Sequence, residues 1–223
     1  MSAPRRYRNT GDLPPVIPVF PLSGVVLLPR TRLPLNIFEP RYLAMIDATM
    51  DQNRVIGMIQ PRDPAEEKAK RPELAQVGCV GRITEYGETD DGRYLVTLTG
   101  ICRFHVTSER EVSTPFRQVA ADYALFSADL QQLEDPPIAR DRLLHALKPY
   151  LSERAMQTDW KSVEDAPAET LVNALSMLCP FASGEKQALL EAPGLKERSE
   201  VLIALLELAN ASATPAGGTQ SIN

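Results

Sequence analysis

Histidine, serine, lysine, cysteine and paired carboxylates are the side chains from which catalytic and metal sites are built. In this sequence they stay apart. The two histidines, His105 and His145, have no partner at ligand spacing, which argues against a metal centre. His105 falls at the end of an expected strand and His145 in the middle of an expected helix. A serine nucleophile needs a base and an oxyanion hole, and no G-x-S-x-G elbow is present. Ser183-Gly184-Glu185-Lys186 places a serine near a lysine, but it reads more simply as a helix start. The same stretch fails as a phosphate loop: the first glycine is missing, and Gln187, without a hydroxyl, follows Lys186. Gly78 and Gly81 open a strand rather than a strand-to-helix turn, so they do not form a dinucleotide fingerprint. Asp90 and Asp91 sit at a hairpin tip, where they serve turn geometry. No catalytic residue, cofactor or metal is assigned, and the chain is read as a non-enzyme.

Composition narrows the remaining classes. The chain has 223 residues, 43% of them hydrophobic and 24% charged, with a formal net charge of -5. That is enough for one large domain or two small ones with a real core. The acidic balance argues against nucleic acid over a broad face. The runs "VVLLP" and "VLIALLELA" are too short to span a bilayer, and the early arginines are followed by no apolar signal region. Cys79, Cys102 and Cys179 form no CxxC pair, so they are read as reduced, buried thiols of a cytoplasmic protein.

The elements that position these groups come in two textures. Residues 1–13 are polar and are expected to be a flexible lead. From residue 14 to 127 the chain is β-rich. The proline-punctuated run "VIPVFPLSGVVLLPRTRLPLNIFEP" predicts short, bent or edge strands, of the kind found in a small, strongly curved barrel. Glu39 precedes Pro40, which suits the first position of a helix, so a helix is expected from Pro40. "RVIGMIQ" reads as a strand and "PRDPAEEKAKRPEL" as a solvated loop. Asp91-Gly92 marks a hairpin between two alternating strands. "SADLQQLEDPP" reads as a linker. Residues 128–210 are expected to be helical. Pro149 is expected to break or kink the first of these helices. Leu171, Val172, Leu175 and Leu178 should be buried in a second, and Val201, Leu202, Leu205 and Leu208 in the last. Residues 211–223 are expected to be a disordered tail.

In combination these blocks resemble a known family. "IPVFPLSGVVLLPRTRLPLNIFEPRYLAMI" is similar to the opening of the Lon protease N-terminal, substrate-binding domain. "VGCVGRITEYGETDDGRYLVTLTGICRF" resembles its second block, through Val77, Gly78, Asp91, Gly92, Arg93, Gly100, Arg103 and Phe104. "EKQALLEAPGLKERSEVLIALLE" resembles its helical part, through Lys186, Gln187, Leu190, Glu191 and Arg198. The resemblance implies an α+β fold: a PUA-like curved β-barrel or sheet followed by a C-terminal helical bundle. It implies a free-standing member without the ATPase and protease domains. It also implies polypeptide partners, unfolded or tagged, and a Lon protease as a further partner, in an adaptor or chaperone-like, ATP-independent role.

The corner "FEPRY" is where a site is expected. Phe38 and Tyr42 should anchor it in the core. Glu39 should form a partly buried pair with Arg41 or Arg103, so that Glu39→Ala lowers thermal stability. The other reading has the exposed edges of Arg41 and Tyr42 touching peptide. Phe38, Glu39, Arg41, Tyr42, Arg103 and Phe104 are the candidate peptide-binding or structural residues. A competing function is an RNA-binding PUA-like module. It would use Arg30, Arg32, Arg41, Arg82, Arg93 and Arg103 with Tyr86 and Tyr94 as a basic-aromatic face; the plainer reading makes these arginines solubilising residues on alternate strand positions.

Overall fold

In a computed structural model, residues 7–63, 71–131 and 136–213 are described. Six strands form one mixed sheet: β1 (Val16–Pro21), β2 (Arg32–Ile37), β3 (Val55–Ile59), β4 (Val77–Glu88), β5 (Tyr94–Glu109) and β6 (Gln118–Asp122). Their order is β2-β5-β4-β3-β1-β6, and β5 also pairs with β6. Strands β5, β4, β3, β1 and β6 therefore close into a ring, with β2 attached outside it to the first half of β5. One long strand makes closure possible. Residues 94–99 of β5 pair with β2, and His105–Glu109 pair with β6. Bulges in the β4–β5 ladder and in the β5–β6 ladder let these strands bend. Strand β1 is parallel to β3, which requires a crossover, and β2 and helix α1 (Pro40–Met50) provide it. The helix starts at Pro40, as the Glu39–Pro40 step predicts. The Asp91-Gly92 turn sits between β4 and β5, with Gly92 at φ 78 and its N–H bonded to the Thr89 carbonyl at 2.9 Å. His105 lies inside β5 rather than at a strand end.

The ring interior explains the glycine and aromatic spacing of the second sequence block. Gly78 faces Phe104 across the β4–β5 ladder, and Phe104 is fully buried. A Cβ on Gly78 would lie 2.6 Å from Phe104 Cζ and 2.6 Å from the Met58 carbonyl oxygen. The glycine is the space the ring occupies. Ile17, Val19, Val80 and Val119, buried on the same face of the sheet, complete this core. Burying side chains of this size is worth about 1.5–3 kcal/mol each.

The chain divides into two compact units. The first comprises Met1–Leu133 and Cys179–Glu191; the second comprises Glu134–Leu178 and Ala192–Asn223. Helix α5 (Ser183–Glu191) thus belongs with the sheet, not with the helical region expected over 128–210. Hydrogen bonds hold it there. Gln60 donates to the Ser183 carbonyl at 3.0 Å and to Gln187 Oε1 at 2.9 Å, and accepts from the Gly24 N–H at 2.9 Å. Gln187 donates in turn to the Val77 carbonyl at 3.0 Å.

The ends of the first unit also depart from the sequence reading. Within the expected flexible lead, Thr10–Asp12 form a 3-10 turn and Leu13 is buried. The Asp12 carboxylate accepts from the backbone N–H groups of Arg8 and Asn9. Ala124–Leu130, which run into the stretch read as a linker, form a 3-10 segment with Phe126 and Asp129 buried. Parts of the expected lead (1–6), loop (64–70), linker (132–135) and tail (214–223) lie outside the described residues.

The second unit contains α2 (Arg140–Glu153), α3 (Trp160–Asp165), α4 (Ala168–Leu178) and α6 (Leu195–Ala213). Helix α2 packs on α6 through a core that includes Leu143, Leu147, Leu202 and Leu206. Pro149 lies inside α2 without ending it. Leu178 and Leu208, expected in the core, are 74% and 62% exposed. In α4, Asn173 and Ser176 are buried instead. The Arg198 guanidinium donates to Asn173 Oδ1 at 2.9 Å, and the Ser176 hydroxyl donates to the Val172 carbonyl. Those bonds let polar groups replace leucine on the inner face.

Candidate functional site

The six candidate residues fall into two places. At the surface corner, Glu39 is extended and α1 begins behind it. Arg41 Nε donates to Glu39 Oε2 at 2.9 Å, and both side chains are about half exposed. The Arg41 guanidinium lies 4.6 Å from the centre of the Tyr42 ring, and Tyr42 packs on Phe20 with centroids 4.1 Å apart. Tyr42 is buried, and that burial pushes its hydroxyl pKa up, with Arg41 opposing. Phe38 is not an anchor: it is 62% exposed. Its neighbour Ile37 is the buried one, because successive side chains leave a strand on opposite faces.

Arg103 and Phe104 are in the interior. Arg103 meets Asp129, not Glu39. Its Nε donates to Asp129 Oδ2 and its Nη2 to Asp129 Oδ1, both at 2.9 Å, a bidentate fork. The Arg103 backbone N–H adds a third bond to Asp129 at 3.0 Å, and Nη1 reaches the Leu190 carbonyl of α5 at 3.1 Å. The guanidinium also stacks over Phe126 at 4.5 Å. Arg30 donates to the Asp129 backbone carbonyl. This buried cluster ties β5, the 3-10 segment and α5 together. Beside it, burial pushes the Cys102 thiol up to about 12, with the Asp129 charge adding to the effect. Such a thiol stays protonated and unreactive near neutral pH.

Of the arginines expected in a basic-aromatic face, Arg30 and Arg82 line one pocket with Tyr7, and others are taken up by carboxylates. Arg32 pairs with Glu85, Arg93 with Asp91, and Arg82 bonds the Asn53 carbonyl at 3.2 Å. Tyr86 and Tyr94 do meet, edge to face, with centroids 5.1 Å apart.

What the corner does lead into is a groove of about 520 Å³ lined by Arg41 together with Arg71, Arg110, Arg117, Glu109 and Glu111. Val112, Thr114, Pro115 and Phe116 complete the lining. Three separate stretches of chain supply it: α1, the segment before β4, and the connection from the end of β5 to the start of β6. Glu109 organises the wall. Its two oxygens accept from Arg117 Nε at 2.8 Å, Arg117 Nη2 at 2.7 Å and Arg71 Nη2 at 2.7 Å. Arg117 also donates to the Pro72 carbonyl at 2.7 Å. Arg117 first, then Arg71, holds the Glu109 carboxyl below its usual range despite partial burial. Arg110 is exposed and, among the described residues, makes no side-chain hydrogen bond or ion pair. Sequence reading missed Arg71, Arg110 and Arg117. The available signal was the charged run Glu109-Arg110-Glu111 at a strand end, close before Arg117. Among the described residues, no group of three or more His, Cys, Asp or Glu side chains is arranged to hold a metal ion.

Comparisons with known proteins converge. The family model described as the ATP-dependent protease La (LON) substrate-binding domain matches residues 16–207. Lon protease 2 of Myxococcus xanthus is 26% identical over 209 residues, covering 92% of this chain and 25% of the relative. Lon protease of Escherichia coli (strain K12) is 25% identical over 196 residues, covering 86% of this chain and 24% of the relative. The chain thus spans about a quarter of the length of these curated relatives. Among solved structures, a Lon N-terminal domain protein from Xanthomonas campestris superposes with a TM-score of 0.60 at 22% identity, covering 85% of this chain and 97% of that one. The N-terminal domain of Mycobacterium avium complex Lon protease gives 0.61 at 16% identity, covering 86% and 97%. At these identities the structural likeness concerns the fold.

Proposed function

Because the chain belongs to the LON substrate-binding domain family, we propose that it is a non-catalytic module that holds polypeptide segments, serving as an adaptor or chaperone-like accessory to a protease. The observation that carries this reading is the match over residues 16–207, which takes in both compact units. The substrates of a protease are polypeptides, and a domain named for substrate binding is read accordingly. The closed ring of strands supports a PUA-like barrel for the first unit, and the packing of α2 and α4 on α6 supports a bundle for the second. The surface corner and its groove are the proposed contact region. Phe38, at 62% exposure, and Val112, at 41%, offer apolar area that a bound segment would cover.

Fluorescence anisotropy with labelled, reduced and alkylated ribonuclease A tests the reading. Saturable binding is expected, together with suppressed aggregation of an unfolding client. No binding and no effect on aggregation would remove the proposal. The RNA reading is tested by filter binding at low salt, where contacts to a phosphate backbone are strongest and from which they weaken steeply as salt rises. The pairing of Arg32, Arg41, Arg93 and Arg103 with carboxylates predicts weak retention.

A further inference from the structure

The groove beside α1 reverses the sign of the molecule. The chain carries a formal charge of -5, yet the described lining has four arginines against two glutamates, with Glu39, bonded to Arg41, as a third carboxylate beside it. One of those glutamates is already engaged. Glu109 is held by Arg117 and Arg71, which spends its charge on fixing two guanidinium groups in place. Arg117 is further tied to the Pro72 carbonyl and is only 17% exposed. These cations are therefore preorganised, and little side-chain entropy is lost when a ligand arrives. Arg110 stands exposed at the rim, available to a partner. The remaining lining is mostly hydrocarbon, from Val112, Pro115 and Phe116, with the Thr114 hydroxyl turned to the Phe116 carbonyl. A volume of about 520 Å³ lies within the range of ligand sites, about 300–1,000 Å³.

From this we infer that the groove receives an acidic polypeptide segment, one in which carboxylates are interleaved with apolar side chains. The inference rests on the polypeptide-binding reading and specifies its client. Carboxylates match the guanidinium forks of Arg110, Arg41 and Arg71 in planar geometry. The apolar residues between them match Val112 and Phe116. The spacing of charge favours a peptide over a nucleic acid. Glu109 and Glu111 interrupt the basic wall, and a continuous phosphate backbone would be driven against them, whereas a peptide places neutral residues there.

The experiment measures anisotropy with three fluorescein-labelled probes: a short peptide alternating glutamate and leucine, its glutamine counterpart, and an oligouridylate of equal charge. The acidic peptide is expected to bind about tenfold more tightly than the glutamine peptide at low salt, with the difference shrinking as salt rises. Arg110→Glu is expected to abolish that preference while leaving the melting temperature unchanged. Glu111→Lys is expected to strengthen binding of the acidic peptide. Equal binding of the two peptides, indifference to both substitutions, or tighter binding of the oligouridylate would overturn the inference. If reduced, alkylated ribonuclease A still binds in that case, the acidic preference alone falls. If neither it nor any peptide binds, the polypeptide-binding reading falls as well.

Discussion

Two arginine–carboxylate pairs in the first unit use the same functional groups to opposite ends. Arg103 and Asp129 are 4% and 9% exposed and share a bidentate fork. Arg41 and Glu39 are 47% and 43% exposed and meet through one carboxylate oxygen. In the interior, a charge without its partner has no water to fall back on, so the pair is obligatory once either member is present. At the surface, water competes for both groups and the pair is optional. The difference teaches that burial, not the residue types, decides whether an ion pair is part of the frame or a contact that a ligand can exchange.

Substitutions can break or sharpen that contrast. The largest effect is expected for Asp129→Ala, which strands the Arg103 guanidinium in the core. A loss of about 3–5 kcal/mol is expected in urea unfolding, large against the total stability of a domain. Replacing both partners, Arg103→Met with Asp129→Leu, should cost less than Asp129→Ala alone. If the double substitution is the worse one, the pair is not governed by desolvation. Next comes Gly78→Ala, which drives a methyl group into Phe104 and the Met58 carbonyl. About 1–3 kcal/mol is expected from overpacking, read as a lowered melting temperature.

Glu109→Gln tests an intermediate case, since that carboxylate is 25% exposed and bonded to two arginines. A loss of about 1–2 kcal/mol is expected near neutral pH. Its folded-state pKa is lowered. The stabilisation is therefore present above the ordinary carboxylate pKa and is lost as pH falls through the folded value. The stabilities of wild type and variant should converge on acidification. The smallest effect is expected for Glu39→Ala, at no more than about 1 kcal/mol. That reverses the expectation drawn from sequence, and a melting temperature lowered as far as in Asp129→Ala would restore it.

Local signals carried much of the fold. The helix start at Pro40, the hairpin at Asp91-Gly92 and the alternation along β5 all depend on residues near one another in sequence, where dihedral preference and periodicity decide. The candidate site was legible only in part. Tyr42 was placed correctly in the core, but Phe38 was expected inward when Ile37 is, a single-residue shift in the alternation at a strand end. Asp129 was hidden in "SADL", a polar stretch with the composition of a linker. Nothing local indicates that it faces Arg103, since only closure of the ring brings the 3-10 segment against β5. Asn173 and Ser176 were missed because apolar periodicity points to leucines, and a satisfied hydrogen bond leaves no mark in that pattern. The groove arginines lie between positions 41 and 117 and become neighbours only through strand order.

The position of α5 along the chain has a consequence for biosynthesis. When β6 leaves the ribosome, every strand of the sheet exists, yet Gln60 still lacks the Ser183 carbonyl and Arg103 the Leu190 carbonyl. Those acceptors are translated only after residues 134–178, which belong to the other unit. The nascent sheet must therefore wait, incomplete, while an unrelated segment is polymerised. Helix α6, which completes the second unit, follows α5 almost at once. Both units therefore acquire their last elements within one short interval of elongation, α5 for the first and α6 for the second.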